Sequence, residues 1–88
     1  MSKYLAEFLG TLLFVYIILA TGNPIAIGIA LGLVIMVTAP ISGGHVNPAV
    51  SVTMAMLGKL PRSELLPYIA SQMAGGIFAL ELFKNVRI

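Results

Sequence analysis

Ile41-Ser42-Gly43-Gly44-His45-Val46-Asn47-Pro48-Ala49-Val50, continuing through Ser51 to Leu57, is the stretch from which the rest of the chain is read. Its first half is too rich in glycine for a regular helix, and its second half starts one. Asn47 is a favoured N-cap, because its side-chain oxygen can accept an N–H of the first turn. Pro48 suits the first helical position, where no backbone donor is needed. Helix then runs from Ala49 to Leu57, and Gly58 supplies a C-cap. These about ten residues reach only ~15 Å at 1.5 Å per residue, roughly half of a ~30 Å hydrocarbon core. A half-length apolar helix in so apolar a chain points to a segment that enters the membrane, turns near its middle and leaves by the side it entered.

The composition agrees. Of 88 residues, 59% are hydrophobic and 9% charged, where ordinary soluble domains carry roughly 25% charge. A chain of this size has room for one small domain and too little interior to hide that much apolar surface in water. The formal charge of +2 comes from five basic residues, all near expected span ends, which argues against a nucleic-acid partner, since that needs a basic face. Without cysteine there is no disulfide framework, Cys-ligated metal site or thiol chemistry. Lys3, an apolar run and then Ala20-Thr21-Gly22 imitate a signal peptide, but Glu7 interrupts the run early and the remaining chain is equally apolar.

Outward from the central stretch, breakers divide the chain into three spans, about 4–20, 25–40 and 64–83, with the re-entrant loop and half-helix at 41–57. Thr21-Gly22-Asn23-Pro24 makes the first turn, and Pro40 closes the second span. Gly58-Lys59-Leu60-Pro61-Arg62 is a polar turn, Ser63 an expected N-cap, and Pro67 falls in the first turn of span three, where proline is best tolerated. Lys84-Asn85-Val86-Arg87-Ile88 reads as a short tail. The expected fold class is an all-α membrane protein of three transmembrane helices plus one re-entrant half-helix, a single unit over 1–88 with no linker and no internal repeat.

Small or polar residues recur at helical spacing in each span: Glu7, Gly10, Thr11 and Phe14; Gly28 and Gly32; Gln72, Gly75, Gly76 and Ala79. The glycines are read as packing faces of a tight bundle. Glu7 and Gln72 differ, because an ionisable or strongly polar group inside a span needs a partner or a wet cavity. The loop from Ser42 to Val46 has backbone N–H groups that must be met by protein or water at membrane depth, and Glu7 and Gln72 are the side chains expected to bind them. For Glu7, one turn inside its span, snorkelling to the surface is the competing reading.

Ala6-Glu7-Phe8-Leu9-Gly10-Thr11, then Ile41-Ser42-Gly43-Gly44-His45-Val46-Asn47-Pro48-Ala49-Val50, then Tyr68 with Gln72 and Gly75-Gly76, resemble in this order the aquaporin and aquaglyceroporin (major intrinsic protein) family. Members of that family are much longer and built from two inverted repeats of this size, whose Asn-Pro-Ala half-helices meet at the midplane. The chain resembles one such repeat, which implies that a monomer encloses no pore. The resemblance implies that Asn47 is a pore-lining donor, starting the half-helix with Pro48 and Ala49, and that the loop carbonyls of Gly43, Gly44, His45 and Val46 are acceptors along the same file. For His45 a proton relay or ligand role is the competing reading. Ser51 and Thr53 are expected as helix-surface or i−4-bonded hydroxyls. The filter positions implied are Ile27, Gly44 and Val50. Here the chain departs from the family pattern: Val50 stands where complete members usually carry Arg in their second repeat, and many water-selective members carry an aromatic residue in place of Ile27.

These readings imply an integral, multi-pass membrane protein forming a passive channel for water and small uncharged solutes such as glycerol, its pore made by an inverted pair of copies in the lipid bilayer. No cofactor, metal or nucleic acid is implied, and no enzyme, since nothing pairs a nucleophile with a base. Two other readings remain: a non-conducting accessory or truncated membrane subunit, and a half-channel that pairs with a different, complementary half.

Overall fold

Polar caps and left-handed glycines set the helix boundaries. The computed structural model describes residues 1–86 and places them in α1 (Lys3–Thr21), α2 (Pro24–Ser42), α3 (Pro48–Leu57), a 3-10 turn (Arg62–Glu64) and α4 (Leu65–Asn85). Ser2 Oγ accepts the Leu5 N–H at 3.0 Å to start α1. Asn23 Oδ1 takes the Ile25 and Ala26 N–H groups at 2.9 and 3.0 Å to start α2. Three of these helices are long and apolar enough to cross a membrane, and the fold is all-α with α3 as the short apolar addition.

Three boundaries differ from the sequence expectation. α2 does not stop at Pro40 but runs to Ser42, so Ile41 and Ser42 belong to the helix and the loop begins at Gly43. Proline removes one helical hydrogen bond, yet tertiary anchors hold the next turn. Ser42 Oγ donates to Glu7 Oε2 at 2.6 Å, its carbonyl accepts from Tyr68 OH at 2.7 Å, and the Gly43 N–H closes on Ala39 O at 3.0 Å. With φ 94°, Gly43 makes the left-handed exit that a side chain would resist. Ser63 caps nothing: it lies inside the 3-10 turn, and α4 starts after Glu64 without a side-chain cap. Lys84 and Asn85 extend α4 rather than forming a tail, while Arg87 and Ile88 lie outside the described residues.

α1 is the central helix, packed on α4 and on α2, with α3 packed on α4. Its contact with α4 is backbone to backbone. A Cβ on Gly75 would stand 2.5 Å from the Phe8 carbonyl oxygen and 3.1 Å from Leu12 N, so only glycine permits this approach. Lys3 Nζ meets Glu64 Oε1 at 2.8 Å at one end of the pair, and Tyr16 OH donates to Val86 O at 2.9 Å at the other. The two helices therefore run in the same direction. By contrast, a Cβ on Gly28, Gly32 or Gly76 meets nothing within 4 Å. Those glycines form no packing face among the described residues.

Burial is inverted relative to a soluble domain. The largest fully buried side chains are Tyr68, Gln72, Glu7 and Ser51, while Leu5, Leu9, Leu13, Ile25, Ile29, Leu33, Ile77 and Phe78 are exposed. In lipid this is the stable arrangement, because tails cover apolar side chains without cost and polar groups must find one another inside.

Candidate functional site

Glu7 is fully buried on α1, and four donors converge on its carboxylate. Oε2 accepts from Ser42 Oγ at 2.6 Å and from the His45 N–H at 3.1 Å. Oε1 accepts from the Val46 N–H at 2.8 Å and from Gln72 Nε2 at 2.8 Å. The side chain does not reach the surface. Two loop N–H groups are thus drawn inward by one side chain, and a third, on Gly44, points at Ser42 Oγ over 3.4 Å.

Gln72 does not receive loop N–H groups, contrary to the sequence expectation. Its amide nitrogen donates to Glu7 and, at 2.8 Å, to Ser51 Oγ, and its Oε1 finds no hydrogen-bond partner among the described residues. Gln72 therefore orients the carboxylate rather than the loop. Ser51 also differs from expectation. It is fully buried, and its hydroxyl lies 2.8 Å from both Gln72 Nε2 and His45 Nδ1. The His45 ring packs on Tyr68 with centroids 5.2 Å apart, so the side chain is held by the core. Glu7, Gln72, Ser51 and His45 form one continuous hydrogen-bonded chain behind the loop.

In front of that chain stands the start of α3. Asn47 Oδ1 accepts the Ala49 N–H at 2.8 Å, and Thr53 Oγ1 donates to Ala49 O at 2.9 Å. Asn47, Pro48 and Ala49 are exposed, whereas Gly44 and Val46 are buried and His45 half-buried. With its oxygen engaged, Asn47 keeps its NH₂ as the free donor. No donor among the described residues reaches the carbonyls of Gly43, Gly44, His45 or Val46. Backbone oxygens at membrane depth need water or protein partners, so these four are available acceptors.

The three filter positions are not brought together. Gly44 lies in the loop and Val50 in the first turn of α3, but Ile27 lies near the far end of α2, about 22 Å along the axis from Ser42 at 1.5 Å per residue. These expected filter residues therefore stand at two well-separated levels along the α2 axis. Ser42 and Ser51, which anchor the network, carried a weak signal at most. Ser51 and Ala55 are the two buried residues of α3, a small i, i+4 pair on a helix whose larger apolar side chains are Val, Met and Leu.

Residues 1–87 match the family described as Major intrinsic protein. The chain is 42% identical over 94 positions to "Glycerol uptake facilitator protein-like 6" of Lactiplantibacillus plantarum, covering 97% of this chain and 44% of that protein. It is 47% identical over 62 positions to mouse (Mus musculus) "Aquaporin-8", covering 70% and 24%, and 36% identical over 97 positions to "Aquaporin Z" of Bradyrhizobium diazoefficiens, covering 93% and 40%. The chain spans less than half the length of these curated relatives.

Proposed function

The chain belongs to the major intrinsic protein family, and from that membership we propose that it forms half of a passive channel for water and small uncharged solutes such as glycerol, completed by a second copy in inverted orientation. It is an integral, multi-pass membrane protein. One observation carries the reading. The loop's donors at His45 and Val46 are spent on Glu7, while its four carbonyls and the Asn47 amide are left for a ligand. Such a file suits a solute that both donates and accepts hydrogen bonds.

Exposure supports the second copy. Asn47, Pro48 and Ala49 are uncovered in the monomer, and a half-helix start at membrane depth requires a facing wall. Two α3 N-termini meeting at the midplane, each carrying roughly half a positive charge, repel a dehydrated cation and leave neutral solutes nearly indifferent. Ile27 of one copy then stands at the level of the other copy's Gly44 and Val50. The relatives named for aquaporin and for glycerol uptake support both solute classes. Ile27 and Val50 close a lumen less tightly than an aromatic ring and an arginine, which favours passage of glycerol beside water.

The test is light-scattering of proteoliposomes holding this chain alone, under water and glycerol gradients, with cross-linking on the same sample. Water and glycerol flux above bare lipid with a cross-linked dimer supports the proposal. Absence of flux with a dimer supports an accessory subunit, and absence of both supports a half-channel awaiting a different partner.

A further inference from the structure

Val46 is the one non-glycine residue with positive φ among the described residues, at 44°. A β-branched side chain resists that conformation, and such strain persists where the surroundings impose it. Two residues one turn apart on α1 do so here. Glu7 Oε1 takes the Val46 N–H at 2.8 Å. Three residues on, Gly10 leaves a notch that the valine side chain fills: a Cβ there would stand 3.0 Å from Val46 Cγ1, 3.1 Å from Val34 Cγ1 and 3.2 Å from Thr38 Cγ2. Val46, Val34 and Thr38 are all buried. The next residue, Asn47, is exposed, and a trans peptide fixes its Cα about 3.8 Å from that of Val46.

We propose that Gly10 and Val46 form a steric stop that sets how far Asn47 and the loop carbonyls stand into the permeation path, and thereby the size of solute admitted. The inference rests on the channel reading above. Both are positioning residues that touch no solute. Val34 and Thr38 wall the notch on the α2 side, and Thr38 is fixed by its own bond to Val34 O at 2.7 Å. Of the three groups around an added Cβ, Val46 sits on the loop and gives most readily, toward the side on which Asn47 is exposed. A carbon added at the notch therefore narrows the path, and removing the two methyl carbons of Val46 lets the loop settle outward and widens it.

The experiment measures water and glycerol permeability of the full chain in phosphatidylcholine vesicles for wild type, Gly10→Ala, Val46→Ile, Val46→Ala and the double variant Gly10→Ala/Val46→Ala. Gly10→Ala and Val46→Ile, which each add one carbon, lower the glycerol-to-water ratio on the order of tenfold, the low end of what one carbon does in a fitted site, and Val46→Ala, which removes two, raises it by at least as much. The double variant returns toward wild type, because the two changes share one contact. A purely structural role would depress both permeabilities together and leave the ratio unchanged, which overturns the proposal. Should Gly10→Ala fail to insert, the two Val46 variants decide: opposite shifts support the stop, and parallel or absent shifts refute it. A wild type that conducts neither solute defeats the channel reading and the stop with it, whereas a conducting wild type with constant ratios defeats only the stop.

Discussion

Replacing Glu7 with alanine strips the buried network of its common acceptor. The hydroxyl of Ser42 has a fallback in Thr38 O at 3.3 Å, and Gln72 keeps its bond to Ser51. The N–H groups of His45 and Val46 have no such substitute among the described residues. At about 1–3 kcal/mol for each buried unsatisfied donor, the loss is about 2–6 kcal/mol per chain, with the low end applying if water enters the space left by the side chain. For a domain of this size ~2 kcal/mol corresponds to a drop of about 8–16 °C in melting temperature. Melting in detergent, followed by helical ellipticity, should place Glu7→Ala well below wild type and Glu7→Gln between them, since glutamine retains one acceptor oxygen. The control is Glu81→Ala, an exposed carboxylate whose lysine partner stands 3.9 Å away, a surface pair worth ~0.5 kcal/mol or less. If Glu7→Ala and Glu81→Ala melt together, the carboxylate does not hold the loop and the network carries no stability.

Gly75→Ala should destabilise the monomer severely, because its Cβ would lie 2.5 Å from the Phe8 carbonyl oxygen; Gly28→Ala, with nothing near it, should leave monomer melting unchanged in the same assay. Val50→Arg should slow glycerol more than water in vesicles, by adding a charged fork beside the loop; equal slowing of both would mean that Val50 does not face the solute. Lys3, Lys59 and Arg62 flank one expected side and Lys84 the other, with Arg87, outside the described residues, following it in sequence; three against two is a weak bias, so a C-terminal tag should be accessible from both sides of one membrane. A single orientation would rule out the inverted homodimer.

The half-helix was legible because its signals are local. Asn47, Pro48 and Gly58 each act on their own backbone, and they start and stop α3 in the structure. The turn at Gly22 and Asn23 was legible for the same reason. Pro40 misled because its penalty is local while the anchors that override it come from Glu7 and Tyr68, 33 and 28 residues away in sequence. Ser63 misled in the opposite sense, since Pro61 and the 3-10 turn set the entry to α4 before a cap was needed. At the site, the need of buried loop N–H groups for an acceptor pointed to Glu7, but which amide atom of Gln72 faces inward, and which face of α3 Ser51 occupies, depend on helix packing. The apolar pattern carries little phase information in helices that are hydrophobic nearly all round. Val46 and Gly10 were unreadable together, because their contact joins residues 36 positions apart.

The absence of native cysteine makes pore formation by this chain directly measurable. A single Ala49→Cys substitution puts a thiol on the exposed start of α3, where the proposed pore is narrow and shared by both copies. Water permeability of proteoliposomes would be recorded before and after a small thiol-reactive blocker and again after reductant. A pore shared by two inverted copies gives flux above bare lipid for both proteins, no effect of the blocker on wild type, and reversible loss of flux in Ala49→Cys. Flux that persists in fully labelled Ala49→Cys, or no flux from the unlabelled chain, would contradict it.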